Sequence, residues 1–488
     1  MLINEDTIKT KKLIETRLFH CLKEENEVFE VDPRDLLTPN RFDVAIKLSY
    51  LRNNGIAPDF SREMYADHIL AFGGGRFHEP EKSEKNSLEV FLEEFAAVAR
   101  DIKDSGFDGN RSIIPLARDG SILNGSHRVA AAIFYGRTVK AMKLDVDPSM
   151  YDYAFFAKRH TPWSTLAAGL QEYMLQRPDM RVAIYWPKTS HLINYRPKQV
   201  VAECGDNLSL KELAGFVRQV YRTEPWLGDP GNKYRGAFHK AQNCYKEDSL
   251  LKVIAFLPEP NEDLSVVKDR IRQELNVGKH CLHISDHVQD TWQVINFFFN
   301  KNSRWFLSAE DIGRFPEKDK KVRHVFDSLE SIGASHYATA VDAGCVLEIF
   351  GLRQANDIDT ISIDDESNVA ALKQFGIQNH NQEFAEYSLD FREVVCNPRM
   401  HFWYNGVKIV SLDVLKRFKE ERGEVKDKND LSLIKSLISQ SFWSVKVARL
   451  KQQMFYLKYN LVRRLRGFLV SILKKVGLFN YLKSMLGK

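Results

Sequence analysis

Along residues 88–102 the apolar side chains fall at Leu88, Phe91, Leu92, Phe95, Val98 and Ile102, the three-and-four spacing of a helix with one buried face. Alternation replaces that spacing at Ile358-Asp359-Thr360-Ile361-Ser362-Ile363, which predicts a half-buried strand after a glycine turn at Gly351. Between residues 112 and 136 two apolar runs flank Asp119-Gly120, a hairpin turn, and Asn124-Gly125-Ser126 then opens a helix that Gly136 ends. Helices predicted over 165–175, 208–221 and 264–275, with strands over 181–185, 251–256 and 281–284, make an α/β unit. Residues 1–30 read as a polar, helix-prone lead.

A chain of 488 residues exceeds what one core can organise. The pattern divides it into the lead (1–30), a unit built around the hairpin and its helix (31–150), an α/β middle unit (151–315), a mixed-sheet unit (316–440) and a helical tail (441–488). The expected class is therefore a multidomain mixture of α+β and α/β. Hydrophobic residues make up 44% and charged residues 28%, an ordinary globular balance.

Charge changes the picture at the C-terminal end. Twelve Lys and Arg and no acidic residue follow Asp430, so of the net +5 the tail carries more than all, and residues 1–430 stand at about −7. An acidic body argues against a whole-protein nucleic-acid binder. In the tail Leu461, Leu465, Phe468, Leu469, Ile472, Leu473 and Val476 share one helical face, with Arg463, Arg464, Arg466, Lys474 and Lys475 around and opposite it. That is the pattern of a helix lying on an anionic membrane surface, with Trp443, Tyr456, Tyr459, Phe479 and Tyr481 at headgroup depth. Docking on the protein's own acidic body is the competing reading. Six scattered cysteines without a Cys-x-x-Cys pair, and a start lacking basic and apolar signal regions, point to a reducing cytosol. The expected location is cytoplasmic, peripheral to the inner face of the membrane.

Two stretches carry chemistry. On a strand, side chains two residues apart leave by one face, so Asp357 and Asp359 present neighbouring carboxylates, for which Mg²⁺ on a phosphate substrate is the usual compensating charge. A solvated strand edge is the alternative. The second stretch is the helix start at Gly125-Ser126-His127-Arg128, where free amides, the positive end of the dipole and a planar guanidinium converge as an anion site. There the alternative is that His127 and Arg128 merely cap and pair on the helix. Gly73-Gly74-Gly75-Arg76 is a lesser anion candidate, and His283, Asp286 and His287 a lesser metal candidate, each weighed against a solvated loop.

The run from Phe350 to Ile363, with Asn405-Gly406-Val407-Lys408-Ile409, Arg422 and Lys426-Asp427-Lys428-Asn429-Asp430 downstream, resembles the nucleotidyltransferase fold. More distantly it resembles the LicD-like phosphotransferases that decorate surface glycans. The resemblance covers residues 322–439. It implies Mg²⁺ on Asp357 and Asp359, a triphosphate positioned by Gly351 and Arg353, and Lys408 or Lys426 offsetting charge at the transferred group. The usual Gly-Ser turn is Gly351-Leu352 here, and Asp390 and Glu393 are the candidates for the third carboxylate.

Residues 114–132 resemble the ParB/sulfiredoxin superfamily, whose hairpin-then-helix element carries a Gly-x-His-Arg signature. The resemblance implies binding of a nucleoside triphosphate (ATP or CTP), with Arg128 and the Gly125 and Ser126 amides on phosphate and Glu79, Asp119 or His127 as the base of a small-molecule kinase. Sulfiredoxin chemistry is excluded, because Ser126 stands where that enzyme needs cysteine. Together these readings point to a Mg²⁺-dependent phosphotransferase or nucleotidyltransferase that works on a glycan or lipid-linked acceptor of capsule or lipopolysaccharide synthesis. A nucleotide-sensing scaffold with degenerate sites is the alternative, and a CTP-dependent DNA clamp a third reading that the acidic body disfavours.

Overall fold

The structure, a computed structural model, describes residues 1–79, 85–312, 314–438 and 444–478. It is a mixed α and β chain built on three small sheets. The first runs β1 (Leu2–Asn4), β2 (Glu25–Val31), β4 (Val139–Lys143), β3 (Ile114–Leu116) from edge to edge; β3 lies parallel to β4 and the other pairs are antiparallel. Residues 1–30 are thus not simply a helical lead: besides α1 (Glu5–Lys11) they supply the edge strand and most of β2. Their polarity misleads because β2 buries only alternate residues, Asn26 and Val28, and exposes the glutamates between them.

Helices α2 (Phe42–Asn53), α3 (Pro58–Gly73), α4 (Leu88–Ser105) and α5 (Ser126–Phe134) pack on that sheet. Periodicity sets α4: Phe91, Phe95 and Ile102 are buried, Ser87 caps the start and Gly106 follows the end at φ +75°. In contrast α2 is buried almost all round, charged residues included.

After α6 (Tyr153–Lys158) and α7 (Trp163–Gln176) comes an antiparallel sheet in the order β6 (Gln199–Asp206), β7 (Leu251–Leu257), β5 (Arg181–Tyr185), β8 (Leu282–Ile284). Helices α8 (Leu210–Val220), α9 (Arg235–Cys244), α10 (Leu264–Leu275), α11 (Val288–Phe298) and α12 (Lys301–Ala309) surround it, and α8 opens on a capping box between Ser209 and Glu212. The predicted boundary near residue 150 crosses a continuous core. Phe42 of α2 stacks on Tyr173 of α7 and meets Tyr153 and Phe156. A Cβ on Gly169 would lie 2.9 Å from Ile46, so that glycine sets how closely α7 approaches α2.

A separate core lies under the third sheet. Helix α13 (Glu317–Ser331) leads into β9 (Thr339–Asp342), α14 (Ala343–Ile349), β10 (Ile358–Ser362), α15 (Glu366–Leu372), β11 (Ile377–Asn379), α16 (Asn381–Glu386), α17 (Phe391–Cys396), β12 (His401–Tyr404) and β13 (Val407–Val410). The strand order is β11-β10-β9-β13-β12, with β10/β11 and β9/β13 parallel and the other two pairs antiparallel. Helices α18 (Leu412–Arg422) and α19 (Val425–Ile438) close the unit, and α20 (Ser444–Lys475) forms the tail. Leu461, Leu465, Phe468 and Leu469 are more than half exposed, while Asn460 donates 2.7 Å to the Gly74 carbonyl. Trp443, Phe479 and Tyr481, and the side chains of Tyr456 and Tyr459, lie outside the described residues. Among the described residues no helix is long and apolar enough to cross a membrane.

Candidate functional site

Strand register builds the C-terminal site. In the antiparallel β9/β10 pair Asp359 stands opposite Asp342, so both carboxylates rise from the same face of the sheet. Asp342 is fully buried and Asp359 is 4% exposed. Both oxygens of Asp342 and Oδ1 of Asp359 lack a hydrogen-bond partner, a costly arrangement for buried anions. Among the described residues His380, just after β11, is the cation that approaches them: Nε2 lies 3.2 Å from Asp359 Oδ1 and Nδ1 3.5 Å from Asp342 Oδ2. Burial raises the Asp359 carboxyl to about 6 against the opposing charge of His380, and the neighbouring Asp357 and Asp342 raise it further. Burial pulls the other way on His380, but the two carboxylates prevail and its pKa is raised.

Asp357, one residue before β10, is exposed. The predicted pair is therefore split, one member at the surface and one beneath it, yet the two remain close enough for Asp357 to act on Asp359. A third carboxylate on this face is Asp342, which the residue pattern does not single out. A signal was present: Asp342 ends the apolar run Thr339-Ala340-Val341 just ahead of α14.

The other candidates are held elsewhere. Asp390 caps α17, accepting from the Arg392 amide at 2.8 Å, and Glu393 accepts the Asp59 and Phe60 amides at the start of α3. Gly351 follows the end of α14 at φ +72° and packs on Asp311 and Arg314, so it terminates that helix and does not form a phosphate-facing turn. Arg353 makes a two-pronged pair with Asp430, at 2.7 and 2.9 Å. Lys408 is buried in β13 and donates to the Tyr337 and Val395 carbonyls at 2.6 and 2.7 Å, and burial lowers its pKa to about 8. Lys426 pairs with Glu424 at the surface. Asp427 and Asp430 anchor Lys419, Arg422 and Arg353, fastening α19 to α18.

Among the described residues no group of three or more His, Cys, Asp or Glu side chains is set to hold a metal ion. The donor chemistry nonetheless fits Mg²⁺. That ion takes one or two protein carboxylates and completes its shell with water and substrate phosphate, and three buried oxygens here have only His380 nearby and no hydrogen bond.

The N-terminal site is organised around α5. Gly125 sits at φ +95° at its start, where a Cβ would lie 2.7 Å from Ile114 and 3.0 Å from the Arg128 guanidinium, so only glycine lets Arg128 fold back over the turn. No side chain caps α5, and among the described residues Arg128 has no hydrogen-bond partner; burial lowers its pKa against the charge of Glu15. His127 faces inward instead, in contact with Phe95, its Nε2 2.8 Å from the Tyr65 hydroxyl. Burial, helped by Lys47, holds it well below the usual histidine range. Asp119 closes its own hairpin, accepting from Ser121 and Asn40, and Glu79 pairs with Lys85.

Beneath the helix start lies a charged chain absent from the sequence reading. Asp43 takes two bonds from Arg41 (2.8 and 2.9 Å) and one from Lys47 (3.0 Å), and Lys47 also meets His68 Nε2 at 3.0 Å. Arg41 reaches on to the Ile122 carbonyl and so fastens the hairpin. Burial would push the Asp43 carboxyl up, but the Arg41 and Lys47 charges hold it well below the usual range. Burial brings Lys47 down to about 8 despite Asp43. The available signal was an acid and a base four residues apart on a helix otherwise apolar on every face.

Of the lesser candidates, Gly74 ends α3 in the left-handed region. Asp286 pairs with Lys268, and burial lowers His283 to about 4.

Family models, curated proteins and solved structures give no match to this chain.

Proposed function

We propose that the chain is a Mg²⁺-dependent phosphotransferase or nucleotidyltransferase acting on a glycan or lipid-linked acceptor at an anionic membrane surface. The observation that carries this reading is the cross-strand pair Asp342 and Asp359, whose buried oxygens lack partners beside the exposed Asp357. Asp342 and Asp359 would hold the ion with Asp357 at its open side; the ion supplies positive charge to the phosphate oxygens. Asp357, at the surface, is placed to take the proton of an attacking acceptor hydroxyl as the new P–O bond forms and the bond to the leaving phosphate breaks.

The N-terminal unit would hold a nucleotide phosphate on the uncapped start of α5 and on Arg128, in keeping with a small-molecule kinase or a nucleotide-binding role. The exposed apolar face of α20 and its basic residues fit the headgroup layer of an anionic bilayer from the cytoplasmic side.

One observation favours the sensor or scaffold reading. Arg353 and Lys408, expected around the triphosphate, are engaged with Asp430 and with backbone carbonyls. Incubation with Mg²⁺ and each radiolabelled triphosphate separates the readings. Turnover that Asp359→Ala abolishes supports the transferase; binding without turnover supports the sensor.

A further inference from the structure

A cleft of 260 Å³ opens along the seam between the middle unit and the C-terminal sheet, lined from the end of α8, the turns that follow it, α13 and the β12–β13 turn. It is not the carboxylate site. The Asn405-Gly406 turn precedes β13, where Lys408 pairs with Ala340, whereas Asp342 ends β9; the two places lie at opposite ends of the strands, about 10 Å apart or more at the strand rise per residue.

The acids lining the cleft are already engaged. Asp319 receives Arg218, Tyr234, Tyr404 and Asn405, and Asp229 accepts the Asn232 amide. The bases at its mouth are not matched in the same way. Arg222 lies over the Phe326 ring at 4.1 Å, donates to the Asn405 carbonyl and faces the Gln293 amide oxygen; among the described residues no carboxylate pairs with it directly, although the charges of Asp327, Glu330 and Asp290 reach it. Arg323 reaches Asp327 only at 3.8 Å, with both side chains largely exposed. Lys320 pairs with Glu317 on the outer surface.

The seat of Arg222 is built into the backbone. Gly406 holds φ +82°, and a Cβ there would strike the Arg222 guanidinium and come within 2.9 Å of Phe326. Burial, with the nearby Arg323 charge, brings Arg222 down to about 10. A desolvated guanidinium beside a second cation is stabilised by an incoming anion. Two arginines and a lysine around one opening suit a dianion better than a carboxylate, and the volume, just below the common range for ligand pockets, limits the rest of the molecule to about a sugar or a nucleoside.

We propose that this seam cleft binds a small phosphorylated molecule, its phosphate held between Arg222 and Arg323 and its body in the cleft. It is a second ligand site on the sheet that carries Asp342 and Asp359, independent of any chemistry there.

Calorimetric titration of the full chain with glucose 1-phosphate, cytidine monophosphate and inorganic phosphate, each against its uncharged counterpart where one exists, tests this. Phosphorylated probes should bind and glucose or cytidine should not; the stronger of the two organic phosphates identifies the source class. Arg323→Gln, at an exposed position where folding is not at stake, should weaken the preferred probe about tenfold or more. Arg222→Gln should do the same, and Arg128→Met and Asp359→Asn should leave that site intact. No binding of any phosphorylated probe at millimolar concentration, equal binding of the uncharged counterparts, or an affinity unchanged in Arg323→Gln would each overturn the proposal.

Discussion

Asp43 and Asp342 are both fully buried aspartates, and they are treated in opposite ways. Asp43 receives three charge-assisted hydrogen bonds from Arg41 and Lys47; neither oxygen of Asp342 receives any. In the N-terminal cluster Asp43 is fully answered by Arg41 and Lys47, which positions the hairpin, while Arg128 over the turn faces only the charge of Glu15 among the described residues. The C-terminal cluster is only partly matched: two carboxylates stand opposite each other and share one histidine, His380. A closed ion-pair network stabilises its surroundings once formed, whereas buried acids that face one another raise the energy of the fold until a cation joins them. Burial of charge alone therefore does not mark a reactive site.

The largest effect is expected at Asp342. Asp342→Asn keeps the shape and removes one of two facing charges, so Mg²⁺-dependent turnover should fall by about 10²–10³-fold while thermal unfolding shifts upward as the repulsion is relieved. Turnover lost together with a marked drop in melting temperature would make Asp342 a structural anchor instead. At Asp43 the same substitution should do the reverse, costing about 3–5 kcal/mol by stranding Arg41 and Lys47, as read by urea unfolding.

Next in size is the separation of the two sites. Arg128→Met should weaken nucleotide binding by about tenfold or more, and Asp359→Asn should not alter it when binding is followed without Mg²⁺. If both substitutions weaken it equally, the two units share one nucleotide.

Smaller still is a pH effect confined to the N-terminal unit. His68 and His127 are held neutral by burial among Lys47, Arg41, Asp43, Lys85 and Tyr65. Their folded pKa values are depressed, so as pH falls below about 6.5 the unfolded chain takes up protons that the folded chain refuses, and stability is lost. The slope is at most about 1.4 kcal/mol per pH unit for each group. His127→Asn should lose less stability between neutral and mildly acidic pH than the wild type does in matched urea titrations. The smallest expected change is at the tail: Leu465→Glu should lower co-flotation with anionic liposomes severalfold without touching turnover on a soluble acceptor, and equal flotation would place α20 elsewhere than on a membrane.

Much of the local structure was legible in order along the chain. The spacing over residues 88–102 became α4, the alternation after Ile358 became β10, and the Asp119-Gly120 turn leading into Gly125 became the hairpin and α5. Each of these rests on interactions within a few residues, which periodicity and turn chemistry record directly. The polar alternation of β2 hid a strand, because this half-buried strand carries few apolar residues.

The chain by itself determined the periodicity of its clearest helices and strands, that Asp357 and Asp359 stand two residues apart at the start of β10, and that the tail is apolar and basic at once. Only the tertiary structure decided which charges are answered. Strand register set Asp342 against Asp359, the packing of α19 gave Arg353 to Asp430, and the pairing of β13 with β9 buried Lys408 among carbonyls. The reason is range: propensity and capping act over one or two turns, whereas the partner of a charge is whatever the folded chain brings within a few ångströms of it, from any distance along the sequence.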